Sequence, residues 1–527
     1  MSRGLLGAAT AVVALALLPL AGLIWGVLNP PTHALAPSAS LLELWGQSGA
    51  AALLLRTLAL AASVCALAVP LGAWLAWAEQ RCEYPGRALL SVLDLLPLAV
   101  PSYLLAATLR DGLGPGGPIG SSLGLSRFTG FGAAWLALSV VTAPYVQILV
   151  GAALARSSAS EQEVATLLGA RRLRLFQTVT LPRVRPALGV GFVLTALYTI
   201  SDFGAVAVLD CQVLTWRLYQ AVNHQELARA TMLASATLAA TLPLLVIARL
   251  IQGRLHQRLS VPNPRPVPRT PLGWAIGAVT FAAHGLVIGL GVGLPLWVLC
   301  SWIAEGIGSG LEFASLAEPV THTCLAAFAG ATFTFGVAAF PARAATRGTR
   351  HSWWIESSTY LTSALPGVMI GFGLLLAALG FSRGAAPGSG LYAAILGSGV
   401  LLRLGYATRF VAEGYGPLKT AFASLDVRQE ESARLLTRSR WNRLHGVFLP
   451  ALAPGAAAAY TLLWLAVLKE LPVTLLLGNA TGLRTLSFRI YDRYEEAFLH
   501  DAGYAGLVLL GLAVAGSLLT LRWRRHV

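Results

Sequence analysis

Lysine is almost absent from this chain of 527 residues, which contains only Lys419 and Lys469. A phosphate-binding P-loop needs the sequence Gly-Lys-[Ser/Thr] after a strand, because the lysine contacts the phosphates of the nucleotide. Both lysines follow a leucine instead. The chain is therefore predicted not to hydrolyse ATP by that route. It also lacks the His-Glu-x-x-His motif of zinc proteases, and the sequence does not predict an enzyme.

Charged residues are scarce as well, at 12% of the chain, whereas soluble globular proteins average about 25%. Hydrophobic residues make up 56%, and the mean hydropathy is +0.68. Many apolar runs reach the ~20 residues that a helix needs to cross a bilayer. Because these runs are continuous rather than alternating, they favour helices over barrel strands. The sequence predicts an all-α integral membrane protein.

Cysteine and clustered metal ligands are also sparse. The five cysteines have no CxxC spacing, so neither a disulfide framework, a metal site nor a resident cofactor is predicted. The net charge of +15 could indicate nucleic-acid binding, but most arginines lie in a few loops between apolar runs. That distribution is typical of membrane proteins, in which it sets the orientation. The predicted surroundings are membrane lipid, and no nucleic-acid partner is expected.

About twelve apolar helices are separated by polar breaks, and both termini are predicted to be cytoplasmic. Loops on the predicted outer side, such as 29–50 and 304–320, contain no Arg or Lys, whereas alternate loops are rich in arginine. The N-terminal apolar run is interpreted as a retained helix, not a cleaved signal peptide. The predicted spans are 4–28, 51–78, 88–110, 131–155, 187–210, 230–252, 273–303, 321–346, 356–381, 391–412, 455–477 and 503–521.

Prolines interrupt the sequence midway and suggest a division into two halves. Pro262, Pro264, Pro266 and Pro268 alternate with other residues and are incompatible with a helix there. The predicted organisation is a first unit at 1–252, a cytoplasmic linker at 253–272 and a second unit at 273–527.

A polar loop occurs once in each half, with landmark residues 268 positions apart. An even number of helices, six, separates the copies, so both halves are predicted to enter the membrane in the same sense and to frame a central path. The first copy contains Glu163, Ala165, Gly169, Ala170, Leu181, Pro182 and Pro186. The second contains Glu431, Ala433, Leu449, Pro450 and Pro454.

In the first copy, Val164, Leu167 and Leu168 have the spacing of an apolar stripe on a short helix. We expect this helix to end at Gly169, which can adopt a left-handed conformation. A second short helix is expected over 171–180, with Leu181-Pro182 ending it. Such a compact shape suits a groove in another protein. The alternative is a helix lying on the lipid surface, which the recurrence in register disfavours.

Two acidic residues inside apolar runs, Asp202 and Glu470, are also 268 positions apart. A charged side chain in a span costs ~2.5–3.5 kcal/mol on insertion scales and commonly faces a cavity or a partner. Gly204 and Pro472 follow them as helix breakers. We predict that Asp202, Phe203, Gly204, Lys469, Glu470 and Pro472 line the outer part of a translocation path. The alternative is local pairing, Glu470 with Lys469 or an arginine.

The pattern Glu-x-Ala-x-x-x-Gly-Ala…Leu-Pro-x-x-x-Pro resembles the coupling loop of permease subunits from binding-protein-dependent ABC importers. The resemblance covers both halves and implies two tandem, parallel, six-helix MetI-like units. Loops 156–186 and 416–454 would then dock a separate cytoplasmic ATP-binding subunit dimer. A periplasmic substrate-binding protein would deliver the cargo at the bacterial inner membrane. In the second loop, Thr437 and Arg438 replace the family Gly-Ala.

The residues around both acids are similar to those of fused ferric-iron permeases, in particular 201–206 and 469–477. This resemblance implies ferric iron as the cargo, with selectivity residing mostly in the binding protein. Thiamine permeases share the fused layout, so thiamine or another small solute is an alternative cargo. An ion-coupled secondary transporter, which would need no ATPase, is an alternative of a different class.

Overall fold

The structure is a computed structural model and is almost entirely helical. It describes residues 3–28, 45–46, 49–117, 119–122, 124, 127–157, 159–258, 267–306, 313–346, 352–363, 365–383, 390–425 and 439–525. Four residues of the second polar loop, Glu431, Ala433, Thr437 and Arg438, lie outside these ranges.

Eight helices of the described residues are long and apolar enough to cross a membrane. Three further pairs of helices each form such a span with a bend at a short break. Together with the first helix, Arg3–Leu28, they account for the predicted spans and confirm the all-α membrane class. The eight helices are Ala50–Arg81, Phe131–Ala155, Leu173–Ser201, Leu227–Arg258, Trp274–Gly306, Ala317–Ala345, Leu449–Leu468 and Leu499–Arg525.

Two of the bent spans break at a proline. Arg87–Leu98 meets Ser102–Gly112 at 102°, and Trp354–Thr362 meets Gly367–Ser382 at 101°. Pro101 and Pro366 directly precede the second helix of each pair, where proline cannot continue a preceding helix. The third pair, Leu391–Gly397 and Val400–Ala423, bends by 56° at Gly399, whose φ is +68°.

Shorter elements lie between the spans. The helices are Ala159–Leu167, Gly204–Val208, Leu214–Asn223, Arg440–Arg443, Pro472–Leu477 and Leu486–Glu495, and Arg172–Leu175 forms the beginning of the span Leu173–Ser201. Strands Cys82–Glu83 and Thr270–Pro271 pair in parallel. The helix Leu227–Arg258 continues beyond residue 252, so the chain is still helical where the linker was predicted to begin.

One compact unit comprises residues 1–40, 218–234 and 302–527. Its first helix, Arg3–Leu28, packs on Gly367–Arg383. The crossing uses Gly22 and Gly373: a Cβ added at Gly22 would lie 1.9 Å from the Gly373 carbonyl oxygen. Close backbone approach through small residues is the usual basis of helix packing in membranes.

The other compact unit comprises residues 41–217 and 235–301. It contains a buried hydrogen-bonded network in which the His284 Nδ1 donates to Asp94 Oδ2 at 2.9 Å, and Tyr84 Oη lies 3.0 Å from His284 Nε2. Gln147 Nε2 also donates to Asp94, at 3.1 Å. The network joins helix Trp274–Ile288, from the second half of the sequence, to helices of the first half. The compact units therefore differ from the predicted sequence halves, whose boundaries stay a prediction.

Candidate functional site

The first polar loop forms the short helix Ala159–Leu167, which ends at Gly169 with φ +81°. The Gly169 amide donates to Thr166 O at 2.9 Å, and the Ala170 amide donates to Ala165 O at 3.0 Å. This pair of bonds is a Schellman motif, in which the left-handed residue closes the helix. The predicted end at Gly169 agrees with this geometry, and it gives Ala165 and Ala170 a role in the turn.

The apolar residues of this segment are exposed. The exposed fraction is 55% for Val164, 87% for Leu167 and 83% for Leu168, and Leu173 beyond them is 68% exposed. Glu163 is exposed on the same short helix. Exposed apolar clusters of this kind mark surfaces that bind another protein or a membrane.

Charged residues attach this segment to the rest of its unit. Arg183 forms an ion pair with Glu161 and also donates to the Arg156 carbonyl oxygen at 3.2 Å. Arg81 donates to the Leu154 carbonyl oxygen at 3.1 Å and to the Ser157 hydroxyl. The exposed helix is thus attached near its beginning, through Glu161, to Arg183 of the following span.

The prediction that Leu181-Pro182 ends a helix was wrong. Leu173–Ser201 is one continuous helix that passes through both residues. A single π-turn, Phe176–Thr180, precedes them, in which the Leu181 amide donates to Phe176 O. Proline lacks an amide hydrogen and crowds the carbonyl four residues earlier, and a local π-turn is a helical way to accommodate such a disturbance.

The second half repeats this geometry. Arg440–Arg443 is followed by the π-turn Leu444–Phe448 and the helix Leu449–Leu468, so that Leu449 and Pro450 also follow a π-turn. Pro454 lies one turn further along this helix, as Pro186 does in the first half. Glu431 and Ala433 lie outside the described residues.

Asp202 ends the helix Leu181–Ser201 and caps the next one. Its backbone is extended, its side chain is buried, and Oδ1 accepts from the Ala205 amide at 2.8 Å. The Asp202 carbonyl oxygen accepts from the Thr215 hydroxyl at 2.8 Å. Phe203 is buried with its ring 6.1 Å from that of Trp216. The acid therefore begins the short helix Gly204–Val208 as a side-chain N-cap.

Glu470 caps the helix Pro472–Leu477 in the equivalent way. Its carboxylate is buried and accepts from the Val473 amide at 3.0 Å and from the Thr474 amide at 3.1 Å. Arg409 Nε lies 3.7 Å from Glu470 Oε1, and its Nη1 donates to Leu365 O at 3.2 Å. Arg409 lies near the middle of the helix Val400–Ala423. Glu470 is thus beside the middle of that helix.

In each unit, the acid-capped break packs against a proline-broken span. A Cβ added at Gly204 would lie 2.8 Å from Tyr103 Cβ, two residues after Pro101. A Cβ added at Gly367, directly after Pro366, would lie 2.8 Å from Pro472 Cγ. Gly204 is therefore needed for close packing, and the helix break itself comes from the two residues before it.

Two charged residues near the second break, Arg409 and Glu413, were missed in the sequence. Lys469 follows the last residue of Leu449–Leu468 and lies within electrostatic range of Glu413, as does Arg409. The available signal was the spacing of Arg409 and Glu413, one helical turn apart at the end of the predicted span 391–412. Neither residue has a counterpart in the first half, so the repeat does not point to them.

Comparison with known proteins identifies the repeat. Residues 68–261 and 334–527 each match the family described as "Binding-protein-dependent transport system inner membrane component". The Fe(3+)-transport system permease protein FbpB 2 of Haemophilus influenzae is 26% identical over 459 residues, which cover 85% of each chain. The putative ferric transport system permease protein FbpB 1 of the same organism is 23% identical over 430 residues, 76% of this chain and 65% of that one. The sulfate transport system permease protein CysT of Salmonella typhimurium is 30% identical over 198 residues, 36% of this chain and 71% of that one.

Proposed function

Because the chain belongs to the family of binding-protein-dependent transport system inner membrane components, we propose that it is the permease subunit of an ABC importer for ferric iron. A separate cytoplasmic ATP-binding subunit dimer supplies the energy, and a periplasmic substrate-binding protein delivers the cargo. The cargo assignment rests on how much of this chain is similar to each relative. Similarity to the Fe(3+)-transport permease spans 85% of the chain, whereas similarity to the sulfate permease spans 36%.

The exposed apolar surface of the first polar loop, formed by Val164, Leu167 and Leu168, is the proposed docking site for one ATP-binding subunit. In a docked complex these side chains leave water, and each fully buried leucine contributes roughly 1.5–3 kcal/mol. Glu163, Ala165, Gly169 and Ala170 shape and flank this surface. We propose the equivalent role for the second loop, including Glu431 and Ala433.

The proposed transmission element is the helix Leu173–Ser201, which continues directly from this loop. It has 29 residues and is therefore about 43 Å long at 1.5 Å per residue. One end is attached to the docking surface through Arg183 and Glu161, and the other end is the break at Asp202. A displacement of the loop is thereby transmitted to the break. We propose that this break and the one at Lys469, Glu470 and Pro472 gate the translocation path.

Reconstitution tests this function directly. The chain is co-expressed with the proposed ATP-binding subunit and binding protein, purified, and placed in proteoliposomes that contain ATP. We expect ATP-dependent uptake of radioactive ferric iron that excess thiamine, sulfate or molybdate does not compete. Uptake of thiamine instead of iron would show that thiamine is the cargo. Uptake by the chain alone in an ion gradient would identify a secondary transporter.

The substitution Leu167→Asp tests the docking surface. Because Leu167 is 87% exposed, a charge there leaves the fold of the isolated chain unchanged but places a carboxylate in the proposed interface. We expect co-purification of the ATP-binding subunit to fall strongly, with an unchanged midpoint of thermal unfolding. Gln225→Asp is the matched control, since Gln225 is exposed in a loop on the predicted outer side. Equal co-purification of both variants would contradict the docking role.

A further inference from the structure

A polar stripe runs along the helix Val400–Ala423 from its middle to its cytoplasmic end. Arg409, Glu413, Gly416 and Thr420 are spaced four, three and four residues apart, so they share one face of the helix. Glu413 and Thr420 are exposed, and Gly416 is partly exposed. The neighbouring residues Val411, Gly414, Tyr415 and Leu418 are buried.

Lipid is an unfavourable neighbour for this stripe. A carboxylate in the middle of a span costs several kcal/mol when it faces hydrocarbon, so charged residues in spans face protein or a water-filled cavity. Glu413 does not pack against a protein surface that would cover it, because its side chain is exposed. Because neither lipid nor a covering protein surface suits it, this exposed carboxylate is best solvated by water.

The stripe is absent from the equivalent helix, Phe131–Ala155. The register of the two helices follows from their packing: Gly72 approaches Val146, and Ala338 approaches Gly414. Val146 and Gly414 are 268 positions apart. In this register, the positions of Arg409, Glu413, Gly416 and Thr420 are occupied by Val141, Tyr145, Ile148 and Ala152. The charge is therefore a feature of the second half alone and does not follow from the duplicated architecture.

Charged partners converge on this stripe. Arg409 is shared between the stripe and the second break, because its Nε lies 3.7 Å from the Glu470 carboxylate. Lys469 and Arg409 are the two positive charges that act on Glu413. Lys469 corresponds in register to Ser201 in the first half, so it too belongs to the second half alone.

We propose that the polar stripe lines the translocation path and that Glu413 is its specificity-determining carboxylate. This inference rests on the proposed permease function and extends it to named residues. Glu413 offers oxygen atoms to a hard cation that passes the second break, the ligand type that such cations prefer. Arg409 is a positioning residue that holds the Glu470 carboxylate in its capping position. Lys469 keeps the net charge of this part of the path close to zero.

Cysteine accessibility tests the path assignment without knowledge of the cargo. In a background without the native Cys65, Cys82, Cys211, Cys300 and Cys324, Glu413→Cys and Thr420→Cys are treated in membrane vesicles. A membrane-impermeant, positively charged methanethiosulfonate reagent is added to both faces. Phe328→Cys is the control, because Phe328 is a 62% exposed apolar residue beside Leu325, as expected of a lipid-facing surface. We expect labelling of both stripe variants and little labelling of the control.

The outcomes separate this inference from the cargo assignment. If neither stripe variant reacts above the Phe328→Cys control, the stripe does not face water and the inference is wrong, whatever the cargo. Thr420→Cys keeps the test valid if Glu413→Cys fails to assemble. If both react but the reconstituted importer carries a solute other than iron, the path assignment stands and the iron assignment fails.

The specificity role is measured separately in proteoliposomes. Glu413→Gln replaces a negatively charged oxygen ligand for a hard cation by a neutral amide, so it is expected to raise the KM for ferric iron uptake by about tenfold or more. Glu413→Asp, which keeps the carboxylate, should restore most of the loss. An unchanged KM in Glu413→Gln would show that the carboxylate does not meet the cargo.

Discussion

At the residue scale, a few positions have a backbone or capping role that fixes their identity. Gly169 takes a φ of +81° with no atom near the place of its missing side chain, so backbone conformation and not space requires glycine. Asp202 and Glu470 each accept an amide three residues later. These roles are local, and they explain why an acidic residue recurs 268 positions later.

We predict that Gly169→Val impairs transport and Gly169→Asn does not. A β-branched residue in the left-handed region costs roughly 1–2 kcal/mol, whereas asparagine tolerates that region well. A shift of this size changes a local equilibrium roughly 5- to 30-fold. ATP-dependent iron uptake measures the effect, with co-purification of the ATP-binding subunit as a second readout. Equal uptake by the two variants would exclude a conformational role for Gly169.

The capping role of Asp202 predicts a difference between two neutral variants. Asp202→Ala removes the acceptor for the Ala205 amide, a loss of typically about 1 kcal/mol, whereas Asp202→Asn keeps an oxygen at this position. The midpoint of thermal unfolding in detergent should therefore be lower for Asp202→Ala than for Asp202→Asn. Equal midpoints would mean that the side-chain cap does not stabilise the break.

At the element scale, both halves use the same devices to pair backbone amides where helices begin or are interrupted. The amphipathic helices Leu214–Asn223 and Leu486–Glu495 provide an example. The Leu214 amide donates to the Thr57 hydroxyl at 3.1 Å, and the Leu486 amide donates to the Thr323 hydroxyl at 2.7 Å. Because unpaired backbone groups are costly at membrane depth, every break needs such partners. Each break therefore has a fixed local structure, which suits the proposed gate because its residues can move together.

The packing of the first break predicts an overpacking effect at Gly204. Gly204→Val places methyl groups against Tyr103, where even a Cβ would lie 2.8 Å from Tyr103 Cβ. Overpacking of this kind typically costs about 1–3 kcal/mol, so the midpoint of thermal unfolding should fall. Gly132→Val is the control, because no heavy atom lies within 4 Å of its added Cβ. A larger fall in the control would contradict the close packing of this break.

At the scale of the whole molecule, the compact units do not follow the sequence halves. The first helix belongs to the unit that holds 302–527, and residues 235–301 belong to the other. In the latter, Asp94, His284 and Tyr84 form the polar connection between helices from different halves. Burial, together with the charge of Asp94, raises the pKa of Tyr84 to about 12. Its hydroxyl therefore stays protonated at neutral pH and can donate to His284 Nε2.

We predict that His284→Leu destabilises the chain and that adding Asp94→Asn recovers part of the loss. The single change removes the His284 hydrogen bond from the buried Asp94 carboxylate, and an unsatisfied buried group costs about 1–3 kcal/mol, more when it is charged. In the double variant, the side chain at position 94 is a neutral amide, so the penalty is smaller. Thermal unfolding of the single and double variants gives the coupling energy. Strict additivity of the two changes would contradict a direct interaction.

The sequence allowed the membrane class, the spans and the duplication to be predicted, because each depends on residues close together along the chain or on a repeated pattern. The end of the short helix at Gly169 was predictable for the same reason, since a glycine after an apolar stripe is a local signal. The continuous helix through Leu181-Pro182 was not predictable from the rule that proline stops a helix. The π-turn that absorbs the proline is a small adjustment of the backbone, and the rule does not include it.

By itself, then, the sequence determined that this is a duplicated helical membrane protein with a polar loop in each half. Only the tertiary structure decided that Asp202 and Glu470 cap short helices, that Arg409 joins Glu470, and that the compact units exchange helices between the halves. The physical reason is distance along the chain. Composition and periodicity act over one or two helical turns, whereas these pairings depend on which spans pack together.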